Sequence, residues 1–375
     1  MRILQGEASS ADAVNIHIAH ELLPKLLRGV SGHDIFNTDE TGLNYRAQPT
    51  RTLASQPRSG IKLANDRMTA VLCVNATGTH KLPVMIIGSA KRPRCFPSGW
   101  EPRRDAKVWY TSNKSAWMER TIFAEYMSFF NEEMKSRGKT GWLFMDNSST
   151  HCLPPDATSH VWEVDGLRLR GFKMSNTNAV FLPANTTSHI QPLDAGIIVN
   201  FKAKFRRLFI RWIIIMLDSG IARDSEKARP NMYQAIQWAR TAWDEVTPQT
   251  IKNCWNKVKI LPVPLVVAGG GATDDVLDEL RALLVSMGDE CDELTFVDQP
   301  NESWTEAPVD SDEEDDEVVA VIRACNAQDV EDADDSTAVI PLTLSQARAG
   351  SAEMKTFFSC KSRRAPRTSL IYGCS

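Results

Sequence analysis

Two short segments of the sequence have the length and apolar character of buried β-strands, and both end in an aspartate. They are DIFNTD, which ends at Asp39, and GWLFMD, which ends at Asp146. A third aspartate, Asp194, lies in HIQPLDAGII, just before a long helical pattern. The carboxyl ends of neighbouring strands meet at one edge of a sheet, and a helix can begin there. We therefore expect these three carboxylates to converge.

The rest of the pattern predicts a mixed β-sheet covered by helices, an α/β fold. The apolar runs of residues 68–89 predict a β-hairpin, and residues 178–185 predict a further strand. Apolar residues at helical spacing predict helices over 119–137, about 195–217, 229–244 and 248–259. Along the chain we expect a helical lead-in at 1–33, a folded domain at 34–262, and a linker with a largely disordered acidic tail at 263–375. A short helix is predicted near 274–287.

Three carboxylates at one edge would repel one another unless a cation lies between them. Two carboxylates about 4 Å apart repel by roughly 4 kcal/mol at an effective dielectric constant of 20. Oxygen-only ligands suit Mg²⁺ or Mn²⁺, and two such ions can promote phosphodiester cleavage. Each acid alone also has a simpler explanation, because Asp39 can cap a turn, Asp146 can form an Asx-turn and Asp194 can cap a helix.

The net charge of −4 hides a strong asymmetry. Residues 289–335 carry 19 acids and one base, whereas the rest of the chain holds 42 Lys and Arg against 28 Asp and Glu, a balance of +14. A basic body fits a polyanionic partner such as DNA, although acidic tails are common. The eight cysteines form no CxxC pair, which argues against a zinc knuckle and a disulfide framework and favours a reducing compartment. No apolar run is long enough to cross a membrane.

Three blocks of the sequence resemble one family. The stretches FNTDETGL, LFMDNSSTH and LPANTTSHIQPLDAGII are similar, in that order, to the DDE superfamily endonuclease domain of pogo/Tigger-type transposases, which includes the centromere protein B and jerky groups. The resemblance implies a ribonuclease H-like fold over 34–262, with Asp39, Asp146 and Asp194 as the three catalytic acids. It also implies two Mg²⁺ or Mn²⁺ ions and a DNA substrate. A nuclear location and self-association as a dimer are further expectations.

Two features depart from the family pattern. The gap between Asp146 and Asp194 is wider than usual, and residues 154–175 are either a tolerated surface insertion or a decayed segment. The helix-turn-helix modules that normally precede the catalytic domain are not in this sequence, so residues 1–33 are interpreted as the remnant of a linker. A non-catalytic DNA-binding or chromosome-associated protein is therefore the alternative to a metal-dependent nuclease.

Several other residues are candidates for supporting roles. Glu40 is expected on the opposite face of its strand from Asp39, where it would support the site rather than bind metal. The same supporting role is assigned to Asn147, His151 and Gln191. Basic residues are candidates for phosphate contacts or, equally, for solvating their elements; they are Lys202, Lys204, Arg206, Arg207 and Arg211 on the long helix, and Lys62, Arg67, Lys91, Arg92 and Arg94 in loops.

The C-terminal tail contains one short motif. In SAEMKTFF, Met354, Phe357 and Phe358 have the spacing of a single helical turn, and the motif resembles a degenerate sliding-clamp-binding peptide. Chance occurrence is the alternative. The basic KSRRAPR that follows is a nuclear-import candidate.

Overall fold

A computed structural model describes residues 13–47, 66–183, 186–222, 225–267, 274–287 and 293–297. Its centre is an eight-stranded sheet in the order β4-β3-β2-β1-β5-β8-β7-β6. The strands are β1 Ile35–Asn44, β2 Arg67–Asn75, β3 Met85–Gly88, β4 Trp109–Ser112, β5 Gly141–Met145, β6 Thr158–Val164, β7 Leu167–Met174 and β8 Thr177–Phe181.

The helices cover both faces of this sheet. They are α1 Ala13–Leu26, α2 Arg120–Ser136, α3 Thr187–Ile190, α4 Ile198–Asp218, α5 Met232–Glu245, α6 Pro248–Val258, α7 Asp274–Ser286 and α8 Glu293–Val297. Short π-helical turns occupy Pro102–Ala106 and Leu193–Ile197. Within the described ranges, no helix is both long enough and apolar enough to cross a membrane.

The central strands have the topology of a ribonuclease H-like fold. β1 pairs antiparallel with β2, and β2 pairs antiparallel with β3, whereas β5 is parallel to β1 and β8 is parallel to β5. The predicted hairpin, the helix near 119–137, the helices after Asp194 and the helix near 274–287 are all confirmed. The predicted disorder of the acidic tail lies outside the described residues, and the domain boundaries stay a prediction.

The prediction that the first strand ends at Asp39 is wrong. β1 continues to Asn44 because its antiparallel pairing with β2 runs from Phe36↔Asn75 to Asn44↔Arg67. Only the parallel pairing with β5 stops before Asp39, at Asn37↔Phe144. Asp39 therefore lies within a strand, at the point where one of its two neighbours has ended.

Alternation along β1 divides the core between the two faces of the sheet. Ile35 and Leu43 belong to an apolar cluster that includes α1, α4, α5 and α6. Phe36 belongs to a second cluster that is built mainly on α2. A smaller cluster packs α7 and α8 against α4 through the buried Val276, Leu280 and Phe296. Since successive strand residues point to opposite faces, odd-numbered β1 residues face α4 and even-numbered ones face α2.

Residues 154–175 form an ordered part of the sheet. β6 and β7 make an antiparallel hairpin, and β7 pairs antiparallel with β8, from Gly171↔Val180 to Met174↔Thr177. Trp162 and Leu169 of this hairpin are buried in the α4-side core. The wide spacing between Asp146 and Asp194 thus results from two additional strands.

Gly171 tests whether this hairpin is integral to the fold. A Cβ atom at this position would lie 1.9 Å from the carbonyl oxygen of Ala179 and 2.7 Å from the Trp162 ring. We expect Gly171→Ala to lower the free energy of unfolding by about 3 kcal/mol, because the backbone of β8 must move. Urea unfolding followed by circular dichroism measures the change, with Ser159→Ala on the exposed side of β6 as control. Equal stability of the two variants would contradict the described β7–β8 pairing.

Candidate active site

The strand register brings Asp39 and Asp146 together. Asn37 and Phe144 are paired in the parallel β1–β5 ladder, and each aspartate follows its member of this pair by two residues. Because side chains two residues apart share a face, both carboxylates point to the same side as Ile35 and Phe144. That is the face covered by α4, and it is where the chain returns with Asp194.

Asp194 is presented by the π-helical turn Leu193–Ile197, which leads directly into α4. Gly196 has φ = 146° in this turn, a backbone conformation that other residues rarely adopt. The Leu193 amide donates to Asn37 Oδ1 at 2.9 Å, and Lys257 Nζ donates to the Ala195 carbonyl at 3.0 Å. The turn is therefore fixed to β1 on one side and to α6 on the other.

The pKa of Asp39 reflects both its desolvation and the charges of the other acids. Desolvation is the largest cause that raises the pKa of the Asp39 carboxyl well above its usual range, followed by the negative charges of Asp194, Asp146 and Glu40. A hydrogen bond at 2.8 Å from the Glu40 amide to Asp39 Oδ1 opposes this effect. A cation bound among the three acids would relieve both the desolvation and the repulsion.

Glu40 lies on the α2 face of β1, where it meets His151. The His151 Nε2 atom is 3.2 Å from Glu40 Oε1, and its Nδ1 atom is 2.8 Å from Asp146 Oδ1. Burial lowers the pKa of His151, but Glu40 and Asp146 outweigh this effect and hold it well above its usual range. The imidazole also stacks on Phe123, with 4.5 Å between ring centroids. His151 thus ties Asp146 to the strand that carries Asp39.

Two groups of residues at this edge have the donor atoms of a metal site. Ligand atoms of Glu40, Asp146 and His151 lie within 4.8 Å of one another. However, both nitrogens of His151 already face carboxylates, so the imidazole has no free lone pair directed at a cation. Asp39, Asp146 and Asp194 supply oxygen atoms alone, which is the donor set of a hard divalent cation. The residues present fit such an ion, and Asp146 belongs to both groups.

Comparison with known proteins decides the family. The family model described as "DDE superfamily endonuclease" matches residues 65–255, which is half of the chain. This chain belongs to the DDE superfamily endonucleases. The matched range contains Asp146 and Asp194 and begins after Asp39.

Several curated proteins are similar in sequence to this DDE endonuclease family member. This chain is 29% identical over 253 residues to the CENP-B homolog protein 2 of Schizosaccharomyces pombe, in an alignment that covers 67% of this chain and 46% of the relative. It is 29% identical to the mouse Tigger transposable element-derived protein 4, over 61% of this chain and 40% of the relative. It is also 29% identical to the human Jerky protein homolog, over 61% of this chain and 38% of the relative. The chain thus spans less than half the length of these relatives.

Solved structures give a weaker similarity. The Mos1 transposase paired-end complex with left transposon end covers 77% of this chain and 66% of its own, with a TM-score of 0.37 and 9% sequence identity. The assignment of the fold therefore depends on the order and directions of the strands. The assignment of the family depends on the match to the family model.

The remaining supporting residues lie close to the acids. Asn147 is half-buried directly after Asp146. Gln191 is 1% exposed, and its backbone carbonyl accepts a hydrogen bond at 3.0 Å from the Ala195 amide in the turn that presents Asp194. Burial of the side chain disfavours contact with DNA, one of the two alternatives considered for it.

The basic residues of α4 are largely engaged within the protein. Arg206 is fully buried and donates to the Asn44 carbonyl at 2.9 Å, and Lys202 is 3% exposed. Arg207 forms ion pairs with Glu245 and Glu279, and the exposed Arg211 also pairs with Glu279. The half-buried Lys204 has a pKa lowered mainly by desolvation. These positions favour the structural alternative for α4 over phosphate contact.

Asn37 is a site residue that the sequence reasoning missed. It is fully buried, its Nδ2 donates to the Phe144 carbonyl at 3.0 Å, and its Oδ1 accepts from the Leu193 amide. One amide side chain therefore joins β1, the end of β5 and the Asp194 turn. The signal was available, because Asn37 is a polar residue two positions before Asp39 and so on the same face of its strand.

Proposed function

We propose that this chain cleaves phosphodiester bonds of DNA and transfers strands with the help of divalent metal, as a nuclear transposase-derived DDE/D domain. The observation that supports this proposal is the convergence of Asp39, Asp146 and Asp194 on the α4 face of the sheet, where the pKa of Asp39 is raised. Two Mg²⁺ or Mn²⁺ ions are proposed as cofactors.

The chain's own residues would divide the work at this site. Asp39, Asp146 and Asp194 would hold the metal. Asn37 would hold the turn that carries Asp194 against β1, beside Asp39. His151 and Glu40 would orient Asp146 from the other face. When bound, divalent metal supplies Lewis-acid polarisation of the phosphate and an activated water nucleophile. Asp39 is half-buried among buried strand residues, which limits the access of bulk water and strengthens electrostatic interactions there.

A plasmid-nicking assay tests this proposal. The full chain is expected to nick supercoiled plasmid in the presence of Mg²⁺ or Mn²⁺ and not in the presence of a chelator. Asp146→Ala should lower the rate by at least about 10³-fold, since a lost metal ligand removes several kcal/mol of transition-state stabilisation. Asp156→Ala, an exposed acid in the β5–β6 connection, is the control and should keep full activity.

Retained DNA binding without metal-dependent nicking would contradict the nuclease proposal and support the non-catalytic alternative. Self-association as a dimer is a further proposal, for which gel filtration with light scattering is the test. The sliding-clamp interpretation of Met354, Phe357 and Phe358 lies outside the described residues and stays a prediction.

A further inference from the structure

The connection between β3 and β4, residues 89–108, is a strongly basic and exposed part of the protein. It contains six basic residues and two acids, Glu101 and Asp105. The basic residues, all exposed, are Lys91, Arg92, Arg94, Arg103, Arg104 and Lys107. We call this segment the basic connection. Three prolines, at 93, 97 and 102, restrict its backbone.

Aromatic packing fixes the basic connection on the same face of the sheet as the acids. Phe96 and Trp100 pack against the α4-side core, with 4.7 Å between their ring centroids. Trp100 also contacts Tyr233 of α5, at 4.9 Å between centroids. The Tyr110 hydroxyl donates to the Ala90 carbonyl at 2.6 Å, which holds the beginning of the segment. Its charges are therefore presented from an ordered surface.

The strand register places the basic connection near the acids. Ile87 of β3 is paired with Thr69 of β2, and Thr69 is paired with Gly42 of β1. Gly42 is three residues beyond Asp39, so Ile87 lies about 10 Å farther along the sheet and about 10 Å to the side. The basic connection begins two residues later, at the end of the sheet towards which β1 runs beyond Asp39. It therefore starts about 17 Å along and about 10 Å to the side of Asp39, a distance of about 20 Å that corresponds to about six base pairs of B-DNA.

The charges of Lys91, Arg92 and Arg94 are available to an external anion. Within the described part of the chain, none of the three forms an ion pair, whereas Arg104 pairs with Asp105 and the α4 arginines pair with Glu245 and Glu279. An ordered basic surface at this distance from the acids has the charge and the spacing to hold the backbone of duplex DNA whose scissile bond lies at Asp39.

We propose that the basic connection is the surface that binds the phosphates of duplex DNA flanking the cleavage site. This inference rests on the proposed function and assigns its DNA contact to residues 89–108 instead of to α4. Phosphate contacts of this kind position the duplex and read no base sequence, so the surface should bind DNA of any sequence.

The test compares two triple variants of the full chain. One is Lys91→Ala, Arg92→Ala and Arg94→Ala. The matched control is Lys135→Ala, Arg137→Ala and Lys139→Ala. It removes the same charge from exposed positions just before β5, at the end of the strands opposite to the basic connection. Binding of a fluorescein-labelled duplex of random sequence is measured by anisotropy over a range of salt concentrations. Circular dichroism and thermal unfolding verify that both variants are folded.

The first variant is expected to lose about tenfold or more in affinity at low salt. Its slope of log K against log[salt] should become shallower by about 2 to 3, because each lost phosphate contact removes nearly one unit. The control should bind like the wild type. Equal weakening of both variants, or of neither, would overturn the assignment to the basic connection while leaving the nuclease proposal intact. A wild-type chain that neither binds nor nicks DNA would overturn both.

Discussion

Replacing Asp39 with asparagine is expected to abolish metal-dependent DNA cleavage and, in the same protein, to raise the stability of the metal-free fold. Desolvation raises the pKa of Asp39 most, and the negative charges of Asp194, Asp146 and Glu40 raise it further. Asparagine has nearly the same shape and carries no charge. Its carboxamide oxygen can still accept the hydrogen bond from the Glu40 amide.

The two effects have different sizes and separate measurements. Loss of a ligand should lower the cleavage rate by at least about 10³-fold. Relief of the repulsion should raise the free energy of unfolding by about 1 kcal/mol in the presence of a chelator. Mn²⁺ should raise the melting temperature of the wild type and leave that of the variant unchanged, because ligand binding stabilises only a fold that binds it.

Asp218→Asn is the control for this experiment. Asp218 is an exposed acid at the end of α4, and its replacement should change neither cleavage nor the Mn²⁺-dependent shift in melting temperature. If Asp39→Asn destabilises the metal-free protein as an ordinary core substitution would, the carboxylates do not repel one another as described. If it cleaves DNA at the wild-type rate, Asp39 is not a metal ligand.

The proximity of Asp39 and Asp146 could be predicted because it depends only on the pairing of two neighbouring strands and on side-chain alternation along them. Strand alternation and the parallel pairing of β1 with β5 are enough to place Asp39 beside Asp146. The end of β1 could not be predicted in the same way. FNTDETGLN carries turn-forming residues after Asp39, and only the long-range pairing with β2 keeps this segment extended to Asn44.

The β6–β7 hairpin shows a different limitation. Asp165 and Gly166 have φ values of 52° and 79°, as the tight turn of a hairpin requires, and Asp-Gly is a strong signal for such a turn. The alternating residues on either side of it were also visible in the sequence. The segment is longer than the usual family spacing, but its alternating pattern around an Asp-Gly turn is that of a β-hairpin.

The roles of the α4 cations depend on contacts that no local pattern contains. Arg207 is paired with Glu279, which is 72 residues away in the sequence, and Arg206 donates to the backbone of β1 across 162 residues. A helix with basic residues on one face has the same sequence pattern whether those residues meet solvent, DNA or acids of a packed helix. Only the tertiary structure distinguishes these cases.

The replacement of Asn37 is expected to lower both the stability of the fold and the activity of the site. Asn37→Ala leaves the Phe144 carbonyl and the Leu193 amide without their buried partner. We expect a loss of about 2–4 kcal/mol in the free energy of unfolding. We also expect a decrease of about 10²-fold in the catalytic rate constant per folded molecule, because the Asp194 turn loses its link to β1.

Asn131 provides a matched control within the same protein. It is 7% exposed, donates to Ser175 Oγ, and accepts hydrogen bonds from the Asn176 amide and the Thr177 hydroxyl. Asn131→Ala should therefore destabilise the protein to a similar extent. Its hydrogen bonds are made at the beginning of β8, at the end of the strands away from the acids. Activities are compared at a temperature where both variants are folded, and Mn²⁺ affinity is measured by calorimetry.

The positioning role of Asn37 predicts a specific difference between these two variants. Asn37→Ala should lower the Mn²⁺ affinity and kcat while KM for DNA remains close to that of the wild type, since the phosphate-binding surface is elsewhere. Asn131→Ala should lower none of these once the folded fraction is taken into account. Equal losses of activity in both variants would mean that Asn37 contributes only to stability. In that case another interaction must hold Asp194 beside Asp39.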